Sequence, residues 1–369
     1  MSDTLWYPFG ALFPKWKNAP RKVAIVRSFA SDLFGSVRWS GSFNKELAIA
    51  FAETGIPYDV LYDEDLSKDL SQYDMVFIPA AFALPEKGVK NLLAYQEKGG
   101  VIVVDEKCRV TALSGAVKLT MKKMSKKEYQ AKADDLLKLA GGNVNTPLYI
   151  EGMQVLQEEL AAASQFPGLH ELVSKHVKAD FSGNKKSIFW NHLEAAGANY
   201  LFAVNDLRIP GPIYGRFGKI REKGLPQTVD FTVKNPKYRY AYDLMANKQI
   251  SIKNGKVRLE LGPCSGRIVL FTEKPLGKLS AKCASAIKQG SNITLDIAIQ
   301  NGSGMIPVLL DVYDAAGKKL SLSRSNVITN GKLTQSWTIP VNAPLGRWKI
   351  VVKELAQGQT KTVTFNVTK

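Results

Sequence analysis

Cysteine is scarce in this chain: its 369 residues contain three, and none stands in a CxxC pair. This number and spacing exclude a disulfide-rich scaffold and a zinc-ribbon site. We predict that Cys108, Cys264 and Cys283 are free thiols, with a disulfide between Cys264 and Cys283 as the alternative.

Histidine is equally scarce, and all three histidines lie in the middle of the chain, at His170, His176 and His192. A transition-metal site needs a cluster of such ligands, so we predict no metal. No sequence motif indicates a cofactor, and none is predicted.

Long apolar runs are also absent, because no stretch approaches the roughly 18 residues needed to cross a bilayer. The opening stretch "MSDTLWYPFGALFPKWKN" lacks the basic, apolar and small-residue parts of a signal peptide. We therefore predict no transmembrane segment and, for the sequence as it stands, a cytoplasmic protein. A signal peptide upstream of Met1 would instead make the protein secreted or periplasmic.

Basic charge is plentiful, with a formal net charge of +17. The excess is +3 in residues 1–145, +6 in 146–275 and +8 in 276–369, so it is spread along the chain. Nucleic-acid-binding proteins concentrate such charge in one stripe with a recognisable motif, so sequence-specific nucleic-acid binding is not predicted. A carbohydrate or another polyanion is the partner that a diffuse basic surface leaves open.

Strand and helix patterns alternate in residues 1–145, where "RKVAIVRSF", "YDVLY", "DMVFIPA" and "GVIVVD" have the composition of buried strands. They predict a flavodoxin-like parallel sheet. Its first long helix is expected to start at Ser42 or Asn44 and to end at Gly55. Residues 146–275 predict a helical linker and a β-sandwich, and residues 276–369 an immunoglobulin-like β-sandwich. The predicted fold class is thus multidomain α/β plus all-β.

The carboxyl ends of the predicted parallel strands mark the candidate site, because ligands of open α/β sheets bind in the crevice there. Residues at these ends that we predict to line the crevice are Ser28, Asp63, Glu64, Asp65, Ala81, Asp105, Glu106 and Cys108.

Residues 20 to 110 contain three characteristic phrases: a Gly-Ile-Pro helix exit in "GIPYDVLY", a Leu-x-x-Tyr approach in "LSQYDMVFIP", and a Gly-Gly lead in "EKGGVIVVD". In these phrases the chain resembles the glutamine-amidotransferase-like domain that follows the catalytic barrel in family-42 β-galactosidases and related carbohydrate-active proteins. The resemblance implies a trimerisation module, and hence a homo-oligomer or a partner protein. The later regions are similar to the β-sandwiches that close many glycoside hydrolases and to bacterial immunoglobulin-like or macroglobulin-type modules.

Active amidotransferases of this class place a cysteine in a Gly-x-Cys-x-Gly elbow and complete a triad with His and Glu. Here Cys108 stands in "EKCRV" between two cations, and residues 1–145 contain no histidine. We predict that no triad forms. The enzymatic alternative is a thiol hydrolase in which cations activate Cys108 and one of the three histidines serves as base.

Carboxylate pairs can hydrolyse glycosides, but the chain lacks the eightfold strand and helix repeat of the barrel that would supply them. Asp63, Glu64 and Asp65 are therefore expected to solvate a loop. Trp6, Trp16 and Trp39 could stack on sugar rings or pack against a partner.

These observations favour a non-catalytic accessory or scaffold protein, or a fragment of one, associated with carbohydrate-active enzymes. It would act through oligomerisation or through binding of a glycan or partner. The alternatives are the thiol hydrolase that uses Cys108 and a basic structural or surface-associated protein that binds polyanions.

Overall fold

The computed structural model describes residues 6–35, 37–214 and 220–369, without the side chains of 37–44, 210–214 and 220–222. Helices and short strands make up the amino-terminal half. Their bounds are α1 Tyr7–Phe9, β1 Lys17–Asn18, β2 Val23–Val26, α2 Phe29–Gly35, α3 Val37–Thr54, β3 Tyr58–Leu61, β4 Met75–Ile78, α4 Glu86–Glu97, β5 Val101–Asp105, β6 Val117–Leu119, α5 Lys126–Leu139, α6 Pro147–Leu160 and α7 Leu169–His176.

Five of these strands form one parallel sheet in the order β3-β2-β4-β5-β6. Helices α3 and α7 pack on one face of the sheet, and α4 packs on the other. Both faces are buried, which is why β2 and β4 are apolar at all four of their positions. The predicted parallel α/β sheet is confirmed.

Two details differ from the sequence prediction. Helix α3 begins at Val37, so Ser42 and Asn44 lie inside it and the predicted cap at either residue is wrong. A cap residue stands at the helix start with a non-helical backbone, whereas Ser and Asn also occur inside helices. The residue type alone therefore does not locate the start of the helix. Gly55 does end the helix, with φ +64°. The three-residue strand β6 was missed, because two of its three residues are exposed and its apolar pattern is weak.

Antiparallel strands make up the middle of the chain. Their bounds are β7 Phe181–Gly183, β8 Ile188–Ala195, β9 Ala198–Asn205, β10 Arg208–Tyr214, β11 Ile220–Gly224, β12 Gln227–Val233, β13 Tyr240–Asp243, β14 Lys248–Ile250, β15 Lys256–Leu261 and β16 Gly266–Thr272. A six-stranded sheet, which we call the central sheet, has the order β1-β8-β9-β16-β13-β14. A three-stranded sheet, β15-β12-β7, packs on one face of it around Trp190 and Phe231.

The last region is an eight-stranded sheet with the order β17-β19-β22-β21-β20-β23-β24-β18. Its strands are β17 Leu279–Cys283, β18 Ala286–Lys288, β19 Asn292–Ile299, β20 Met305–Tyr313, β21 Arg324–Thr329, β22 Lys332–Thr338, β23 Gly346–Glu354 and β24 Thr360–Thr368. All neighbours are antiparallel except β18 and β24. The predicted β-rich character of both later regions is confirmed.

The last region covers the second face of the central sheet. Tyr200, Ile268 and Leu270 of the central sheet share one apolar cluster with the interior of the eight-stranded sheet. The Tyr200 hydroxyl donates to the Met305 carbonyl at 2.7 Å and accepts from the Met305 N–H at 2.8 Å. The central sheet is therefore enclosed on both faces.

Several packing contacts cross the predicted domain boundaries at 145/146 and 275/276. The boundaries themselves remain predictions. Phe166 and Val173 pack on the parallel sheet beside α3. At the amino terminus, Phe9 and Leu12 lie in the cluster of the last region, and β1 joins the edge of the central sheet. In the part of the chain that the structure describes, no helix is both long and apolar enough to cross a membrane.

Candidate functional site

Two buried serines occupy the carboxyl edge of the parallel sheet. Ser28 donates its hydroxyl to the Ala83 carbonyl at 3.1 Å and accepts the Ser31 N–H at 3.0 Å. Ser31 donates to the same carbonyl at 2.5 Å and accepts the N–H groups of Phe82 and Ala83. The chain's own loops therefore use the hydrogen-bonding groups that a ligand would need here.

The acidic loop after β3 serves local structure. Asp63 accepts the Ala30 N–H at 2.8 Å, in the first turn of α2, as expected for an anion at a helix start. Asp65 accepts the Tyr62 N–H and pairs with Lys68 at 2.7 Å. The Lys68 ammonium and the Tyr62 N–H hold the pKa of Asp65 below its ordinary value.

Asp105 is the buried carboxylate of this edge, at 2% exposure. Its Oδ1 accepts the Ala80 N–H at 2.8 Å, whereas its Oδ2 has no partner among the described residues. Burial raises its pKa. Strands β2 and β4 separate it from Asp63, so three spacings of about 4.8 Å put the two carboxylates roughly 14 Å apart. Neighbouring Glu106, like Glu64, is exposed. The predicted crevice residues do not converge as a catalytic pair.

Ala80 has a left-handed backbone, with φ +49°, two residues after β4, in the region of the chain where a nucleophile elbow would hold its nucleophile. Its side chain is a methyl group, so it supplies no nucleophile. Ala81 follows, 1% exposed, and its carbonyl accepts the Arg109 N–H at 2.7 Å. The sequence did not single out Ala80, because the Gly-x-Cys-x-Gly motif requires a cysteine at that position. The small residues after Pro79 were the sequence feature that could have indicated a tight turn there.

Cys108 packs against the α4 side of the sheet, and burial raises the pKa of its thiol. This direction is opposite to the activation that its cationic neighbours suggested. His170 and His176 belong to α7, on the other face. His176 lies near Asp74, at the amino ends of the strands. His192 is in β8 and bonds to Asn199 at 2.8 Å. Cys108 is thus separated from the three candidate bases, and all three cysteines are free.

The candidate sugar-stacking tryptophans are placed differently from one another. Trp16 is half-buried, with its ring 5.6 Å from that of Tyr200. Trp6 is 59% exposed and meets Phe13 edge-on. The Trp39 side chain lies outside the described residues. The described pair therefore packs at the amino terminus beside the central sheet.

Apolar side chains are exposed at the carboxyl edge of the parallel sheet. Phe29, Leu33 and Phe34 of α2 are 70%, 65% and 68% exposed, and Tyr62 and Phe82 are 48% and 40% exposed. The Asp63 bond to α2 and the Ser31 bonds to the loop after β4 hold these residues near one another. We call this surface the strand-end patch. Exposed apolar clusters of this kind mark interaction surfaces.

A second concave region lies where α3, α6 and the segment from β8 to β10 meet, and we call it the interdomain cleft. Its volume is about 400 Å³. Residues that line it include Glu53, Tyr129, Gln157, Gln165, Phe189 and Arg208. Sequence reasoning did not find it, because these residues are spread over more than 150 positions and share no motif. Elsewhere too, no group of three or more His, Cys, Asp or Glu is placed to hold a metal ion, as far as the described residues extend.

Glu53 is the buried titratable group of the cleft, at 8% exposure. Its Oε2 accepts the Ala163 N–H at 2.7 Å. Burial raises the pKa of Glu53 to about 7, and the nearby Glu158 charge adds to the rise, while backbone N–H groups and Lys186 oppose it. The cleft therefore contains a carboxyl group that changes charge near neutral pH.

No protein-family model matches this chain, and no curated protein matches it in sequence. Among solved structures, it is similar to an apo exo-carrageenase of family GH42 from Bacteroides ovatus, at 11% identity and a TM-score of 0.35. That similarity covers 69% of this chain and 29% of the exo-carrageenase, so the chain spans less than a third of that protein.

Two further solved structures show weaker similarity. A β-glucosidase from Listeria innocua has 11% identity and a TM-score of 0.22, over 94% of this chain and 46% of the enzyme. The CARDB domain of a protein from Pyrococcus furiosus has 15% identity and a TM-score of 0.19, over 26% of this chain and 88% of the domain. TM-scores this low do not establish a shared fold.

Proposed function

We propose that this chain is a non-catalytic accessory module that associates through the strand-end patch, and that the surface it binds is a second copy of the same chain. The observation that carries the proposal is the exposure of three large apolar side chains on one turn-and-a-half of helix, Phe29, Leu33 and Phe34. Burying such side chains on association gains roughly 25 cal/mol for each Å² of apolar surface removed from water.

The described residues at the carboxyl edge of the parallel sheet lack the groups of a nucleophilic site, which supports a role in association. The left-handed position after β4 holds Ala80, the buried carboxylate Asp105 is bonded to that residue's N–H, and burial raises the pKa of the Cys108 thiol. Nothing in these contacts favours the thiol hydrolase or the polyanion-binding alternative as a second candidate.

We also infer that the parallel sheet and its helices form a flavodoxin-like, amidotransferase-like scaffold. The strand order supports it, because the second strand in sequence lies outside the first and the next three follow on the other side. The association with carbohydrate-active proteins is supported by the sequence phrases of residues 20 to 110, and a polysaccharide array tests it directly.

Light scattering after size-exclusion chromatography tests the association. We expect the wild-type chain to elute with a multiple of its monomer mass, and F29S/F34S to elute as a folded monomer that still unfolds cooperatively. The matched control is L139S/V155S, which removes side chains that are 72% and 61% exposed on α5 and α6. It should leave the mass unchanged.

A wild-type chain that stays monomeric up to about 100 μM, on the scale of weak association, would contradict the proposal. Equal dissociation by both double variants would also contradict it, because the effect would then come from general surface polarity.

A further inference from the structure

We propose that the interdomain cleft binds a small organic cation, a molecule that carries one ammonium group, and that Glu53 is its counter-ion. The proposal does not depend on association through the strand-end patch.

Glu53 is buried without a cation. It is 8% exposed, its bond to the Ala163 N–H leaves the carboxylate charge uncompensated, and among the described residues it forms no ion pair. A buried carboxylate is costly unless it is paired and hydrogen-bonded. This one therefore stays partly protonated, with a pKa of about 7. An ammonium group in the cleft would supply the missing charge.

The other charged groups that line the cleft already have partners. Glu46 pairs with Lys123 at 2.9 Å, and Asp206 pairs with Arg208 at 3.1 Å. Each of these pairs contributes little net charge. Glu53 is thus the acidic group of the cleft that is left to a ligand.

Two groups behind the cleft wall act on Glu53 at longer range. Glu158 accepts the Ser187 hydroxyl at 2.6 Å, and its charge raises the pKa of Glu53. Lys186 donates to the Ser164 hydroxyl at 2.8 Å, and its charge lowers that pKa. Their charges act on Glu53 in opposite directions, with the Glu158 effect the larger of the two.

The remaining lining suits an ammonium better than a neutral or anionic group. The Gln165 amide donates to the Leu160 carbonyl at 2.9 Å, which fixes its orientation and leaves its buried oxygen without a donor among the described residues. An ammonium has three N–H donors. The aromatic rings of Phe189 and Tyr129 also line the cleft, and aromatic faces attract cations. A neutral polyol would leave the Glu53 charge uncompensated, and an anion would be repelled by it.

Titration with a matched pair of probes tests the proposal. Cyclohexylammonium and cyclohexanol have the same ring and differ in charge, and either is small enough for about 400 Å³. By calorimetry at pH 8 we expect cyclohexylammonium to bind at least about tenfold more tightly than cyclohexanol. Its affinity should fall about tenfold at pH 6, because the ionised fraction of a group with a pKa of about 7 falls from about 0.9 to about 0.1.

E53Q keeps an acceptor for the Ala163 N–H and removes the charge, so it should abolish the preference for the ammonium probe. E106Q removes an exposed carboxylate at the other site and should bind like the wild type. Equal affinity for both probes, no binding of either, or an equal loss in both variants would overturn the proposal.

A measurement on the unmodified chain covers the case in which E53Q fails to fold. The carbon chemical shift of the Glu53 carboxyl, followed by NMR against pH, should show a lower pKa when cyclohexylammonium is saturating. An unchanged titration would overturn the proposal.

Discussion

The strand-end edge and the interdomain cleft each bury a carboxylate whose pKa is raised by burial, Asp105 and Glu53, but the polar groups around the two carboxylates differ. At the edge, Ser28, Ser31 and Asp63 are bonded to backbone groups of α2 and of the loop after β4, and Asp105 accepts the Ala80 N–H. In the cleft, Glu53 is buried with backbone contacts but without a cation. The fold rule for parallel sheets locates the first region, yet the second has the group whose charge changes near neutral pH. The strand order thus identifies where a crevice lies. Burial of a carboxyl group decides which crevice contains a group that titrates near neutral pH.

The largest expected effect compares the buried carboxyl end of α3, the helix that carries Glu53, with an open surface. Gly55 ends α3 two residues after Glu53, and a Cβ there would lie 1.9 Å from the Trp190 ring. Gly55→Ala should therefore lower the free energy of unfolding by about 4 kcal/mol, from overpacking together with backbone strain. Chemical denaturation measures the loss.

Gly141→Ala is the matched control, because Gly141 has nearly the same φ, +63°, and nothing within 4 Å of the added Cβ. It should cost about 1 kcal/mol, the backbone strain alone. Equal losses of unfolding free energy in the two variants would show that close packing of Gly55 against Trp190 does not stabilise the end of α3.

The second expected effect is a pH dependence that belongs to the cleft. The pKa of Glu53 is raised in the folded state to about 7, so the folded state binds more protons than the unfolded one between pH 4.5 and pH 7. Stability therefore falls as pH rises through this window, by about 3 kcal/mol in total at 1.36 kcal/mol per pKa unit.

Glu53→Gln should remove this part of the slope, which denaturation at pH 5, 6, 7 and 8 would detect. Glu106→Gln, at the strand-end edge, should retain it. If the slope persists in the Glu53 variant, another group is responsible and the contrast between the two regions is lost.

The smallest expected effect tests the edge itself. Asp105→Ala leaves the buried Ala80 N–H without its acceptor, which should cost about 2 kcal/mol. Asp105→Asn keeps an oxygen in place and should cost less than about 1 kcal/mol. Similar losses in both variants would mean that the charge of Asp105, and not its bond to the strained turn, is what matters there.

The sequence alone identified much of the fold and little of the cleft. Apolar runs such as "VAIV" predicted the strands, because a strand buried on both faces must be apolar throughout. It also located the strand ends correctly, since the connection order follows from alternating strands and helices. It could not locate the cleft, because Glu53, Gln157 and Phe189 come together only through packing between regions.

The reactivity of Cys108 shows a similar limit. Its neighbours in sequence are cations, which would lower the pKa of its thiol, yet burial against the α4 side raises it. Burial depends on residues distant in sequence, and local charge was therefore a poor guide.

The enclosure of the central sheet has a consequence for biosynthesis. All six strands of this sheet precede residue 276 in the chain, whereas the strands that cover the face bearing Tyr200 and Leu270 follow it. At about 5–20 residues per second, that face waits roughly 5 to 20 s for residues 276–369. During this interval the nascent chain presents an apolar sheet, and we expect it to require a holding chaperone and any stop before residue 276 to yield an insoluble product.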